Sequence, residues 1–113
     1  MRAAVCRTYG PPDVVAVEEI EAPALADGQV RVRIAAAAVN FPDVLIVANS
    51  YQISAPTPFV PGSEFAGVVV EVADDVSDVA VGEAVTGTGL VGAFAEEAVI
   101  AGGALQRLPD GIA

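Results

Sequence analysis

With 113 residues, the chain is long enough to bury one hydrophobic core and too short for two domains. Fifteen Asp and Glu against five Arg and no Lys give a net charge of −10, which excludes the basic stripe that nucleic-acid binding requires. A single Cys and no His exclude an intramolecular disulfide and leave too few ligands for zinc, which takes about three protein ligands at a catalytic site and about four at a structural one.

Taken in chain order, the first predicted element is a strand over Met1–Thr8, in which Cys6 reads as a small core side chain. The charged Arg7 arrives too early to leave a signal-peptide apolar core, and no apolar run approaches the ~18 residues of a membrane span. These features lead us to expect a soluble cytoplasmic protein with no membrane partner. Gly10-Pro11-Pro12 is turn chemistry, followed by a strand over Val14–Glu21 and turns at Ala22-Pro23 and Asp27-Gly28. Gln29–Val39 reads as a strand with an alanine-dense end, and Pro42–Asn49 as a short helix, since Pro42 suits a first helical turn and Asp43 the positive helix start. Strands follow over Ala66–Ala73, Glu83–Thr86 and Phe94–Ile100, and a last turn at Pro109-Asp110-Gly111. The pattern predicts one mainly β, antiparallel, barrel-like domain over residues 1–113 with one or two short helices, and no repeat or linker divides it.

Val39–Val70 gathers the chemistry. It holds Asn40, Asp43 and Tyr51, then the turn Pro61-Gly62-Ser63-Glu64 leading through Gly67 into a β-branched run. Asn40 offers both a donor and an acceptor and could equally end a strand; Asp43 could equally be a helix-start charge, and Tyr51 a loop aromatic with its OH in water. Glu64 reads as a turn-stabilising carboxylate that supports its neighbours, and the loop acids Asp74, Asp75 and Asp78 as solvated surface. Gly87-Thr88-Gly89-Leu90-Val91-Gly92 matches the dinucleotide fingerprint letter for letter. The Gly102-Gly103 pair would break the helix such a motif needs, so a glycine-rich hairpin loop is expected there.

Asn40-x-x-Asp43, Pro61-Gly62-x-Glu64, Gly67-x-Val-x-x-Val72, Val81-Gly82-Glu83-x-Val85, Gly92-x-Phe-Ala-Glu96 and Leu108-Pro109-Asp110-Gly111 follow one another in an order that resembles the N-terminal GroES-like catalytic domain of the medium-chain dehydrogenase/reductase superfamily. The resemblance is to its zinc-free quinone oxidoreductase branch, because Gly62-Ser63-Glu64 stands where the zinc-dependent branch has Gly-His-Glu. Where the family often has Arg and Gly between its Asp and Tyr, this chain has Val47-Ala48-Asn49.

The resemblance implies a GroES-like antiparallel partial barrel and NADPH-dependent hydride transfer to a quinone or an α,β-unsaturated carbonyl, with no metal. It implies Asn40, Asp43 and Tyr51 as catalytic residues, Tyr51 donating to the substrate oxygen, and Asn40, Phe41, Pro42 and Asp43 as contacts of the nicotinamide cofactor. The doubly wound Rossmann half that binds the nucleotide would lie outside these residues as a missing partner. The chain alone would then be inactive, without measurable NADPH affinity, and inclined to form a homo-oligomer through the apolar face it exposes. An enoyl-thioester reductase of the same superfamily is the alternative enzyme, and a stand-alone binding module the alternative outside catalysis.

Overall fold

β-branched residues at alternate positions dictate a sheet with one face inward. The computed structural model describes residues 1–109. β1 (Arg2–Cys6) pairs antiparallel with β2 (Val15–Glu19) in a two-stranded sheet, with a single 3₁₀ turn at Pro12–Val14 between them. β3 (Gln29–Ala37), β4 (Glu64–Val72), β5 (Ala84–Thr88), β6 (Glu97–Ala101) and β7 (Leu105–Arg107) form a five-stranded sheet in the order β6-β3-β4-β5-β7. Every pairing is antiparallel and neither sheet closes on itself. The sheets touch through β1: Ala4 N–H bonds Phe94 O at 2.8 Å, Glu96 N–H bonds Arg2 O at 3.1 Å, and Cys6 and Phe59 exchange a pair of backbone bonds.

Val30 and Val32 of β3, Phe65 and Val69 of β4, Val85 of β5 and Ala98 of β6 face one another in the main core. Burying each large apolar side chain contributes on the order of 2 kcal/mol. Arg31, on β3 between β6 and β4, lies between Glu71 of β4 at 2.9 Å and Glu97 of β6 at 3.5 Å and so ties three strands by charge. A second cluster, Cys6, Ile46, Val47, Ala55 and Phe59, lies under the only α-helix among the described residues, α1 (Phe41–Val47). Cys6 is there as expected, fully buried, and burial pushes its thiol up.

Two glycines are sterically required. Gly67 sits where β3 and β4 slip register between Ile34 and Ala36, and a Cβ there would lie 2.1 Å from Arg33 O. Gly62 has φ +104, and a Cβ would press on the Phe94 ring at 2.7 Å.

The predicted elements are all present, with shifted ends. β4 starts two residues early, at Glu64, because Glu64 and Phe65 pair with Thr88 and Gly87. The same pairing corrects the hairpin-loop expectation for Gly87–Gly92: Gly87 and Thr88 belong to strand β5, and only Gly89–Gly92 is loop. β7 was not anticipated. The final turn, Pro109-Asp110-Gly111, lies largely outside the described residues.

Candidate functional site

β3 ends at Ala37, and the chain turns into α1 through Asn40, the helix N-cap. Asn40 and Asp43 are arranged as a capping box, which satisfies helix-start N–H groups that lack intrahelical partners. The Asp43 carboxylate accepts the Asn40 backbone N–H at 2.8 Å. The reciprocal contact, from the Asn40 side chain to the Asp43 N–H, is in place without reaching hydrogen-bond geometry, and that N–H bonds the Asn40 backbone carbonyl at 3.1 Å. Asn40 Nδ2 instead donates to Glu64 Oε2 at 3.0 Å, across to the start of β4. Ala38 N–H bonds Glu64 O at 3.2 Å, so backbone and side chain together fasten the β3–α1 turn to β4.

Asp43 is 3% exposed, and its Oδ1 has no hydrogen-bond partner among the described residues. A buried polar atom left unpaired costs about 1–3 kcal/mol, so this oxygen marks a place where a donor would be welcome. Beside it the surface is apolar: Phe41 is 73% and Val39 77% exposed, and Val44 follows one helical turn on. Pro42 is half-buried at the helix start.

Tyr51 follows α1. Its half-buried ring packs against the cluster of Cys6, Ile46, Val47, Ala55 and Phe59, while its OH has no hydrogen-bond partner among the described residues. The chain's other tyrosine is different, since Tyr9 OH donates to Ala55 O at 2.6 Å. The structure thus brings Asn40, Asp43 and Glu64 into one hydrogen-bonded group. Tyr51 follows the opposite end of the helix, about 10 Å along at ~1.5 Å per residue.

Two clefts open nearby. One of 460 Å³ is lined by Ala36–Ala38, Glu64, Phe65 and Thr86–Thr88. Another of 380 Å³ lies between β1 and β6, lined by Val5, Phe59, Val60, Ala98 and Ile100 with Arg7 and Glu97. Neither is lined by Asn40, Asp43 or Tyr51: Asn40 and Tyr51 are half-buried and Asp43 is buried.

In the fingerprint-like Gly87–Gly92, the two loop glycines have their amides engaged rather than open to a pyrophosphate. Gly89 N–H bonds Ser63 O at 2.9 Å and Gly92 N–H bonds Val60 O at 2.7 Å, and no helix follows. Those bonds hold the Pro61-Gly62-Ser63 turn, and with it Glu64, in place.

Residues 26–110 match the family model of the alcohol dehydrogenase GroES-like domain. The chain belongs to this family. The GroES-like domain here is 35% identical over 111 residues to quinone oxidoreductase-like protein 2 of Rattus norvegicus, covering 98% of this chain and 31% of that one. It is 46% identical over 86 residues to the polyketide synthase GfsB of Streptomyces halstedii, covering 76% of this chain and 2% of that one. Among solved structures, Escherichia coli quinone oxidoreductase complexed with NADPH superposes with a TM-score of 0.91 at 25% identity, covering 100% of this chain and 35% of that one. This GroES-like domain therefore spans about a third of the length of the quinone oxidoreductase-like relatives it matches. No helix among the described residues is long and apolar enough to cross a membrane.

Proposed function

We propose that residues 1–113 act as one domain, the substrate side of an NADPH-dependent oxidoreductase that reduces a quinone or an α,β-unsaturated carbonyl. The observation that carries the reading is the Tyr51 hydroxyl, without a partner among the described residues, on a ring packed at one end of α1, with an unpaired buried carboxylate oxygen at the other end. Its relatives among quinone oxidoreductases and their complexes with NADPH support it.

The donor set fits the nicotinamide end of the cofactor: Asn40 offers an amide, Asp43 an acceptor and Phe41 an exposed apolar ring, with Pro42 shaping the turn. The pyrophosphate is left to a second unit, since the amides at Gly89 and Gly92 are engaged. NADPH, when bound, supplies the hydride. As hydride reaches the substrate, negative charge grows on its oxygen, and the Tyr51 OH donates to that oxygen, as hydrogen-bond donor or as general acid. A chain without His, whose one Cys is fully buried, does this without zinc.

The similarity to a polyketide synthase favours a second reading, reduction of an enoyl thioester. One substitution separates the two. In a protein that joins this domain to a nucleotide-binding half, Tyr51→Phe is expected to lower kcat and kcat/KM together and leave cofactor affinity unchanged. Quinones accept hydride easily, so a drop of about tenfold indicates quinone reduction, and about a hundredfold or more on an enoyl thioester indicates the second reading. An unchanged rate on both removes Tyr51 from the mechanism.

A further inference from the structure

Asn40 and Glu64 are 24 residues apart and meet through one side-chain hydrogen bond, Nδ2 to Oε2 at 3.0 Å. An ionised carboxylate only accepts, so the amide nitrogen must face it, and the orientation of the carboxamide is fixed by chemistry. One of the two Asn40 N–H donors is thereby spent and the other lies next to a negative charge, while the carbonyl oxygen faces the Asp43 N–H of the capping box with one of its two lone pairs and keeps the other for a further donor. Donating to a carboxylate enriches the amide in electrons, which makes its carbonyl oxygen a stronger acceptor and its remaining N–H a weaker donor. The carboxylates of Glu64 and Asp43 flank Asn40 from two sides, one through the side chain and one through the backbone N–H. A developing oxyanion at Asn40 would meet repulsion from both. A neutral N–H donor or a cationic ring would meet attraction.

Resting on the oxidoreductase reading above, we propose that Glu64 is the positioning residue of Asn40. It turns the Asn40 amide into an acceptor for the electron-poor nicotinamide end of the cofactor and leaves the substrate oxyanion to Tyr51. The two chemical demands of hydride transfer, positive charge developing on one partner and negative charge on the other, are then met by opposite ends of α1. The unpaired Oδ1 of Asp43 adds a second acceptor on the same side.

The first test needs no turnover. The chain has two asparagines, Asn40 and Asn49, so selective ¹⁵N-asparagine labelling of the 113-residue protein resolves both side-chain amides by NMR. We expect one Asn40 amide proton to be shifted and slowed in exchange relative to its geminal partner. The signature should persist in Glu64→Gln, whose carbonyl still accepts, and vanish in Glu64→Ala, with the backbone spectrum of the sheet retained in both. A freely exchanging, symmetric Asn40 amide in the parent overturns the positioning role, as does a signature that survives Glu64→Ala.

The second test reads the charge. In the protein joined to its nucleotide-binding half, fluorescence titration gives separate Kd values for NADP⁺ and NADPH. Glu64→Gln is expected to weaken NADP⁺ relative to NADPH by about twofold to fivefold, the scale of one exposed charge interaction. An unchanged ratio overturns the electrostatic part of the proposal. If neither cofactor binds at all, the oxidoreductase reading fails, and the Asn40 amide signature still decides the role of Glu64.

Discussion

Val30, Val32, Val69 and Val85 are each fully buried in the five-stranded sheet, whereas the cluster beneath α1 is assembled from β1, the helix and the loops around Ala55 and Phe59. The sheet core is made by residues that repeat every second position on neighbouring strands, and its order follows from backbone pairing. The cluster under α1 has little pairing of its own: beyond the one bridge between Cys6 and Phe59, it is held by single contacts such as Tyr9 OH to Ala55 O and Gly10 N–H to Val47 O. Every candidate polar group sits over this second region or on its seam with the first. The difference teaches that backbone pairing orders the sheet, and that the part built from loops can carry the proposed chemistry on a frame it does not have to hold up.

The sharpest way to break this division is at Gly67. Adding one methyl puts a Cβ against the Arg33 backbone, so Gly67→Ala is expected to cost roughly 3 kcal/mol or more, with global loss of the sheet signal in a denaturant titration. Gly103→Ala, where a Cβ meets nothing within 4 Å, should change stability by less than about 0.5 kcal/mol. Equal effects at the two sites would mean that the β3–β4 approach is not rigid.

The two tyrosines sharpen the comparison inside the loop-built region. Tyr9→Phe removes a backbone-anchoring hydrogen bond and is expected to cost about 1 kcal/mol, while Tyr51→Phe removes a hydroxyl with no partner among the described residues and should stay within about 0.5 kcal/mol. Thermal melts of both variants check this. A Tyr51→Phe loss as large as that of Tyr9→Phe would assign the Tyr51 hydroxyl a structural bond and weaken its claim as a donor to substrate.

The smallest effect is expected at the exposed pair Arg7–Glu18. The hydrogen bond from the Arg7 guanidinium holds the Glu18 carboxyl below the usual carboxylate range, so Glu18 is more acidic in the folded chain than in the unfolded one. Its contribution is therefore complete above the unfolded value and fades as pH falls through the lower folded value. Comparing melts at about pH 7 and about pH 3, Glu18→Gln should lose slightly less stability on acidification than the parent. Identical losses would show that the pair contributes nothing.

Much of this was legible in the sequence, and the gaps have physical causes. The valine alternation of β3 and the β-branched run of β4 announced both strands, and Pro42 with Asp43 announced the start of α1. The strand identity of Gly87-Thr88 was hidden because glycine carries a turn signal, and only pairing with Glu64 and Phe65 overrides it. β7 is three residues, Leu105–Arg107, without a β-branched side chain, and exists because the β5 edge was free to pair. In the site, Asn40 and Asp43 were paired by the resemblance of Asn40-x-x-Asp43 to the family motif. The Asn40–Glu64 and Tyr9–Ala55 bonds could not be anticipated, since they join residues 24 and 46 positions apart and no local pattern encodes them. Glu64 was read as a supporting carboxylate, and its partner became visible only with the fold.

β1 is bonded on one side to β2 and on the other, bond by bond, to Phe59 and to the stretch Phe94–Glu96. Mechanically it is a crossbar. Any movement that separates the helix-bearing region from the sheet loads several short backbone bonds at once, so the two regions should drift as one block. The span between the end of α1 and Phe59, which carries Tyr51, is pinned to that block where Tyr9 OH holds Ala55 O and Cys6 holds Phe59. A ligand would then meet Asn40 and Tyr51 as two jaws of one frame.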